Sequence, residues 1–298
     1  MIFAFYLYKG VSMQRFLQAF RVGFWLGWKT ESNWTNPLFY ILWSLLVPMS
    51  NGLIMTMMLR VLQRTGNVNG ADLLPYVFIG TVVYSIVALL LDSMAWAVLE
   101  DRERMGMLKY IAITPSSMYG YLWGRGFAKV SVNFLAVPLT LTFGALVLDI
   151  PIQLSTIDWP LLLAVVVLGL LIVTFAAQIL AGVTLMIARH AGFVGQAVSG
   201  ALYLFTGALF PITVLPIWMQ TIARAVPLTY WLEGMRRALW VDARNPAYKT
   251  GLEQLSTSNL LLILVGAAVA MAVISIPLQR RAEHRAKEKG LLDMNTAY

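Results

Sequence analysis

Side chains able to do chemistry are scarce in this chain, and a dense group of them stands in one stretch between long apolar runs, EDRERMGMLKYIAITP, residues 100–115. Glu100, Asp101, Arg102, Glu103 and Arg104 set acids beside guanidiniums, and Lys109 follows. Carboxylates and guanidiniums this close neutralise one another or grip a partner through charge-assisted hydrogen bonds. They offer no nucleophile and no metal-ligand spacing. There is no cysteine, which excludes thiolate catalysis, thiolate metal sites and disulfide scaffolds. No GxxxxGK[ST] phosphate loop and no HExxH zinc motif occurs, and paired aspartates of the intramembrane-protease kind are missing. The two histidines, His190 and His284, lie at the edges of apolar runs. The chain reads as no enzyme, and energy for any work it does would come from elsewhere.

A second, thinner set of candidates lies inside apolar runs. Asp92, in LLLDSMAW, is the clearest ionisable residue of this kind, and such residues mark ion or substrate pathways by default. It stands only two turns or so from the charged stretch, so a structural partner or a water contact is an equal reading. With Trp96, and with Tyr203 and Phe205 of a later run, it makes a candidate cargo pathway. The plainer reading of the aromatics is packing or lipid contact.

What must position these residues is a membrane domain. Hydrophobic residues make up 59% of the 298 and charged residues 12%, against roughly 25% charged in soluble domains; mean hydropathy is +0.72. The sequence is read as an all-α integral membrane protein with six crossings, at Pro37–Leu59, Leu73–Leu99, Phe127–Leu148, Trp159–Ile187, Ala191–Phe210 and Asn259–Leu278, since about 20 apolar residues span the hydrocarbon core. Placing the N-terminus inside puts 15 Lys and Arg on the inner side and 7 on the outer, so both termini are expected in the cytoplasm. A charge of +8 written at the ends of apolar runs is topology and not a nucleic-acid footprint.

Three pieces fall outside the crossings. Residues 1–36 form an N-terminal segment whose opening MIFAFYLY is too short to span and lacks a basic signal region; Met13 is an alternative start. Within it, Met13, Phe16, Leu17, Phe20, Phe24 and Trp28 recur at helical spacing opposite Arg15, Arg21 and Lys29, as in a helix lying in the membrane interface; it serves either as part of a mechanism or as a plain anchor. Residues 211–241, with Pro211, Pro216 and Pro227, read as a re-entrant pair of short helices, each opened by a proline at a tolerated first-turn position. In the second of these helices Trp231, Leu232, Met235 and Leu239 form an apolar stripe, and Glu233 and Arg236, three apart, are placed to pair on the other side. A plain outer loop is the alternative. Residues 279–298 form a basic tail.

By composition, residues 100–115 are equally a solvated loop that fixes topology or a docking helix, its charges paired with a soluble partner and Met107, Leu108 and Tyr110 offered to a groove. Thr114-Pro115 stops it. EDRERMGMLKYIAITPSS resembles the connector of ABC-2 type permeases, the transmembrane subunits of ATP-binding-cassette exporters: Glu-rich, then Gly-Thr-Leu-Glu, then Thr/Ser-Pro. GALFPITVLPIWMQTIARAVPLTYWLEGMRRAL resembles the second hallmark of that family, proline-rich and closing on Pro-Leu-Thr-Tyr and a helix with Arg. Order, span number and topology agree over essentially the whole chain. Met107 stands where Thr is usual and Lys109 where Glu is, so the detailed contacts of the connector differ.

The resemblance implies a homodimeric pathway with two separate ATPase subunits beneath, which bind ATP and Mg; this chain itself would hold no cofactor or metal. Residues 100–115, from Glu100 through Gly106 to Pro115, would be the coupling helix, with the Ala188–Gly192 turn as a second contact. Pro211, Pro216, Pro227, Tyr230, Glu233 and Arg236 would belong to an outer gate. The implied function is export of an amphipathic or hydrophobic cargo (drug, lipid or lipid-linked glycan) across the plasma membrane. A polysaccharide permease of the same family and an ion-coupled transporter centred on Asp92 are the rivals.

Overall fold

A computed structural model describes residues 12–32, 37–64, 73–114, 117–133, 136–187, 192–240 and 250–293. These residues are helix and turn throughout, with no strand among them. In chain order the principal helices are α1 (Met13–Ser32), α2 (Pro37–Arg64), α3 (Leu73–Leu99), α4 (Leu108–Ile113), α5 (Met118–Asn133), α6 (Ala136–Val147), α7 (Trp159–Met186), α8 (Gly192–Phe205), α9 (Ile217–Ala225), α10 (Pro227–Leu239) and α11 (Thr257–Glu288). Among the described residues four helical stretches are long and apolar enough to cross a membrane: 73–104, 118–147, 159–186 and 257–288.

The expected crossings shift in instructive ways. The third begins at Met118, well before the expected Phe127, because residues 118–126 are buried by a neighbouring helix and do not need lipid-compatible side chains. The fifth, expected over Ala191–Phe210, is a helix of 14 residues, about 21 Å at ~1.5 Å per residue. It ends where Gly207 turns into the left-handed region at φ 70°, which a residue without Cβ adopts at no steric cost. The sixth does not stop at Leu278: α11 runs on through the basic residues to Glu288, so the first half of the tail is helix.

Helix α1 lies along α5, and glycine is why it can lie so close. Apolar association gives little drive inside lipid, so close backbone approach at small residues carries helix packing there. Gly23 and Gly27 of α1 line this contact from one side, Gly120 and Gly124 of α5 from the other. A Cβ at Gly120 would stand 2.8 Å from the Phe16 carbonyl oxygen, and one at Gly23 or Gly124 would run into the facing backbone. The aromatic flank completes the seam, with Phe16 edge-on to Trp123 and Phe20 edge-on to Phe127. The exposed side of α1 carries Val22, Trp25 and Trp28, side chains suited to an interfacial level.

Helix α3 is the centre of the bundle. Its residues from Leu74 to Leu91 are almost all buried, and it touches α5, α7, α8 and α10. Replacing Gly23 or Gly124 by Leu should part α1 from α5: the melting midpoint falls, by the ~1–3 kcal/mol of an overpacked contact or more, and trypsin cleaves sooner at Arg21 and Lys29. Gly266→Ala, at a site with nothing within 4 Å, should leave both readouts unchanged.

Candidate functional site

The connector is built in two parts. α3 does not end at Leu99; it widens into a π turn over Glu100–Arg104, closed by the Met105 N–H donating to the Glu100 carbonyl at 2.9 Å. Gly106, at φ 60°, then reverses the chain into α4. Thr114 ends α4 in an extended conformation, φ −74° and ψ 151°, as a residue preceding proline requires. Pro115 itself lies outside the described residues, as do positions 188–191 of the expected second contact turn.

The first part is an ionic root turned into the protein. Asp101 is fully buried and Arg125 of α5 almost so. Arg125 donates through Nη2 to Asp101 Oδ1 at 3.0 Å and to Glu100 Oε2 at 2.9 Å, and through Nη1 to Thr30 Oγ1 at 2.6 Å. The Tyr121 hydroxyl donates to the other Asp101 oxygen at 2.7 Å. Thr30 belongs to α1, so one guanidinium ties three elements. Arg102, also buried, donates to the Ile187 carbonyl at 3.0 Å and to Glu103 at 2.8 Å, which brings in the end of α7. Glu100 and Arg104 pair at 3.4 Å on the exposed side. Thus Asp101 and Arg102 are spent inside the fold and do not present themselves to a partner.

The second part faces outward. Tyr110 is 60% exposed and Ile113 80%, with Met107, Lys109 and Thr114 beside them. Leu108 does not join them: it is fully buried, and the expected apolar set is corrected accordingly to Met107, Tyr110 and Ile113. Leu108 points inward because the short turn Leu291–Asp293 folds back beneath α4, with Leu292 in the same buried cluster. Lys109 donates to Asp293 Oδ1 at 2.6 Å; that hydrogen-bonded carboxylate holds the ammonium above its usual range. The charged stretch alone gave no sign of Arg125, Tyr121, Thr30 or Asp293; only Arg125, a lone charge in GYLWGRGF, stood out by composition.

At the other end, Pro216 caps α9 and Pro227 is the first residue of α10, while Pro211 precedes a short turn at Ile212–Val214. The expected Glu233–Arg236 pair is not formed. Glu233 takes Arg237 at 2.9 Å, one residue further on. Arg236 turns instead to backbone and ring. Its Nη2 donates to the Gly207 carbonyl at 2.7 Å, its Nε to the Tyr76 carbonyl at 3.2 Å, and its guanidinium lies 3.5 Å over the Tyr76 ring. The end of α8 leaves carbonyls without intrahelical donors, and a cation at a helix C-terminus is favoured. Arg237 likewise donates to the carbonyls of Leu252 and Leu255. The polar side of α10 is therefore buried and not solvated. The Tyr230 hydroxyl donates to the Arg224 carbonyl at 2.8 Å, closing the end of α9.

The pathway candidates fall on one seam, between α3 and α8. Asp92 Oδ1 lies beside Gly195 and takes no hydrogen bond of good geometry among the described residues; the Trp96 indole stands as a donor toward the carboxyl group, and Lys129 is its neighbouring cation. Trp96 is 39% exposed and packs at Gly192. Tyr203 meets Tyr84 at 4.7 Å between ring centroids, further along the seam, and Phe205 closes α8 half-buried. Among the described residues no group of three or more His, Asp or Glu is placed to hold a metal ion.

Compared with known families, residues 18–240 match the model described as ABC-2 type transporter. No curated protein matches the chain.

Arg125→Leu should destabilise by ~3–5 kcal/mol, because it leaves a buried carboxylate without its cation, read as a drop in the melting midpoint and earlier proteolysis at the connector. Adding Asp101→Asn should recover most of that loss, since the two changes meet in one network. Arg104→Ala, on the exposed side, should leave the midpoint where it was.

Proposed function

The chain belongs to the ABC-2 type transporter family, and on that premise we propose that it is the multi-pass permease subunit of an exporter that moves an amphipathic or hydrophobic cargo, such as a drug, a lipid or a lipid-linked glycan, on ATP hydrolysed by a separate subunit. Two copies form the pathway and two ATPase subunits seat beneath them, with both termini in the cytoplasm. Residues 37–278 make the six-span domain in the plasma membrane, with α2 and α8 as the two crossings beyond the four long apolar stretches.

The observation that carries this reading is the division of labour in the connector. Its root is locked to α5 by the buried Asp101–Arg125 ion pair, through Arg125 to the Thr30 hydroxyl of α1, and by Arg102 to the Ile187 carbonyl at the end of α7, and its tip offers Met107, Tyr110 and Ile113 uncovered at the end of the bundle where these elements meet. A rigid root with an apolar tip is what a coupling helix needs: the tip gains contact with an ATPase groove, and the root passes the displacement to three helices. The work done is the difference in contact free energy between two states. At the far end, α9 and α10 form the outer gate, dipping into the outer leaflet as a re-entrant pair. The uncovered side of α8, with Phe193, Ala197, Gly200 and Leu204, is the surface for the second copy. A soluble loop would not bury its charges and expose its apolar side chains.

The Asp92 oxygen that takes no hydrogen bond of good geometry favours a second reading, coupling to protons or ions. Transport that survives loss of the ATPase activity and fails in Asp92→Asn would choose it.

Tyr110→Glu combined with Ile113→Asp should abolish co-purification with the partner ATPase subunit, and cargo-stimulated ATP hydrolysis with it, while helix content and melting midpoint stay unchanged. An unaltered complex would sink the docking assignment. Leu108→Ala is no substitute, because a buried leucine truncation costs ~2–5 kcal/mol of stability by itself.

A further inference from the structure

Between α6, α7 and α10 lies a crevice of about 530 Å³, a volume within the ~300–1,000 Å³ of small-molecule sites. It is at the end of the bundle away from the connector, in the half of the membrane that contains α10. None of the connector, gate-proline or Asp92 candidates lines it.

Its walls say what it would take. They are hydrocarbon and aromatic from mouth to floor, with Leu141 and Ala145 on α6, Leu162 and Val166 on α7, and Met235 on α10. Three polar groups stand in that lining, the Trp159 indole at the mouth and two further in, and those two are already satisfied. The Thr142 hydroxyl donates to the Pro138 carbonyl at 2.8 Å, and the Trp231 indole N–H donates to the Val165 carbonyl at 3.0 Å. Below the mouth a ligand finds no hydrogen-bond hook and no charge. The crevice extends along α7 from Trp159 to Leu170, a length of about 16 Å at ~1.5 Å per residue. That is one leaflet of a hydrocarbon core ~30 Å thick. Trp159, 56% exposed, stands at the mouth at the start of α7, where an indole suits the interface. On either flank the crevice is continuous with side chains facing outward, Leu146 at 77% and Leu163 at 68% exposed.

We infer that this crevice holds one acyl chain of a phospholipid from the leaflet opposite the connector, as a resident part of the protein. The chain runs beside α7 with its headgroup at Trp159. Its inner wall is the Trp231, Met235 and Leu239 stripe of α10, the helix that also carries Arg236 and Arg237. The bound chain therefore props α10 from behind and keeps its arginines on their carbonyls. With no charged residue in the lining, selection is by chain length and not by headgroup. The inference rests on the chain being embedded in a bilayer and not on which cargo is moved.

Native mass spectrometry of the purified protein after detergent exchange tests it. The wild type should retain about one phospholipid per chain, with retention rising from short to long acyl chains and indifferent to headgroup charge. Ala145→Phe, which fills the crevice, should retain none, whereas Leu163→Phe on the flank should retain as much as wild type. Leu162→Phe serves if Ala145→Phe fails to fold. Delipidation should speed amide exchange across 227–239 in wild type and leave the filled variant unchanged. A wild type without lipid, a filled variant that keeps it, or a lipid released whenever the ATPase subunit turns over ATP would each overturn the assignment, the last by making the molecule cargo in transit.

Discussion

A guanidinium removed from water has to find acceptors for its N–H groups within the protein, and this requirement, met at Arg236 and Arg237 and, apart from their Nε, at Arg102 and Arg125, decides how the helices are joined. Each of these arginines reaches out of its own helix to a carboxylate or to backbone carbonyls on another element. Acceptors of that kind are most available where helices end or unwind, because the last carbonyls of a helix lack intrahelical donors. The arginines therefore gather at the two ends of the bundle, and the middle is left to apolar packing around α3. The connector and the proposed gate are the two places where such acceptors are found.

The same contrast separates what can move from what must not. Asp101, Arg125 and Tyr121 form a closed, buried set joined by short bonds, so displacing one displaces the others. Lys109 and Asp293 are joined across an exposed contact, which water and salt weaken. A partner that competes for α4 meets a firm base and a yielding cover.

Much of this was legible in the sequence for reasons that can be named. Long apolar runs announced α3, α7 and α11, because span length is set by bilayer thickness. Prolines at 216 and 227 announced the starts of α9 and α10, because their fixed φ and missing N–H suit a first turn. Charge in EDRERMGMLKY announced the connector. The failures share one cause, which is that tertiary partners are not written in local spacing. Glu233 and Arg236 are correctly spaced to pair, yet the carbonyls of Gly207 and Tyr76 claim Arg236 and leave Glu233 to Arg237. Leu108 belongs by pattern with Met107 and Tyr110, yet the distant turn Leu291–Asp293 covers it. Gly120 and Gly124 make a weak motif in isolation, and gain their meaning only with the backbone of α1 set against them.

The fold-back at Leu291–Asp293 has one further consequence. Whatever follows Asp293 in the chain sets out from the underside of α4, at ~3.3–3.6 Å per residue of reach. A reporter or affinity handle fused a few residues beyond it would crowd the face of α4 proposed above as the seat of a motor. A motor domain fused there, by contrast, would need only a short tether to reach its seat at high effective concentration.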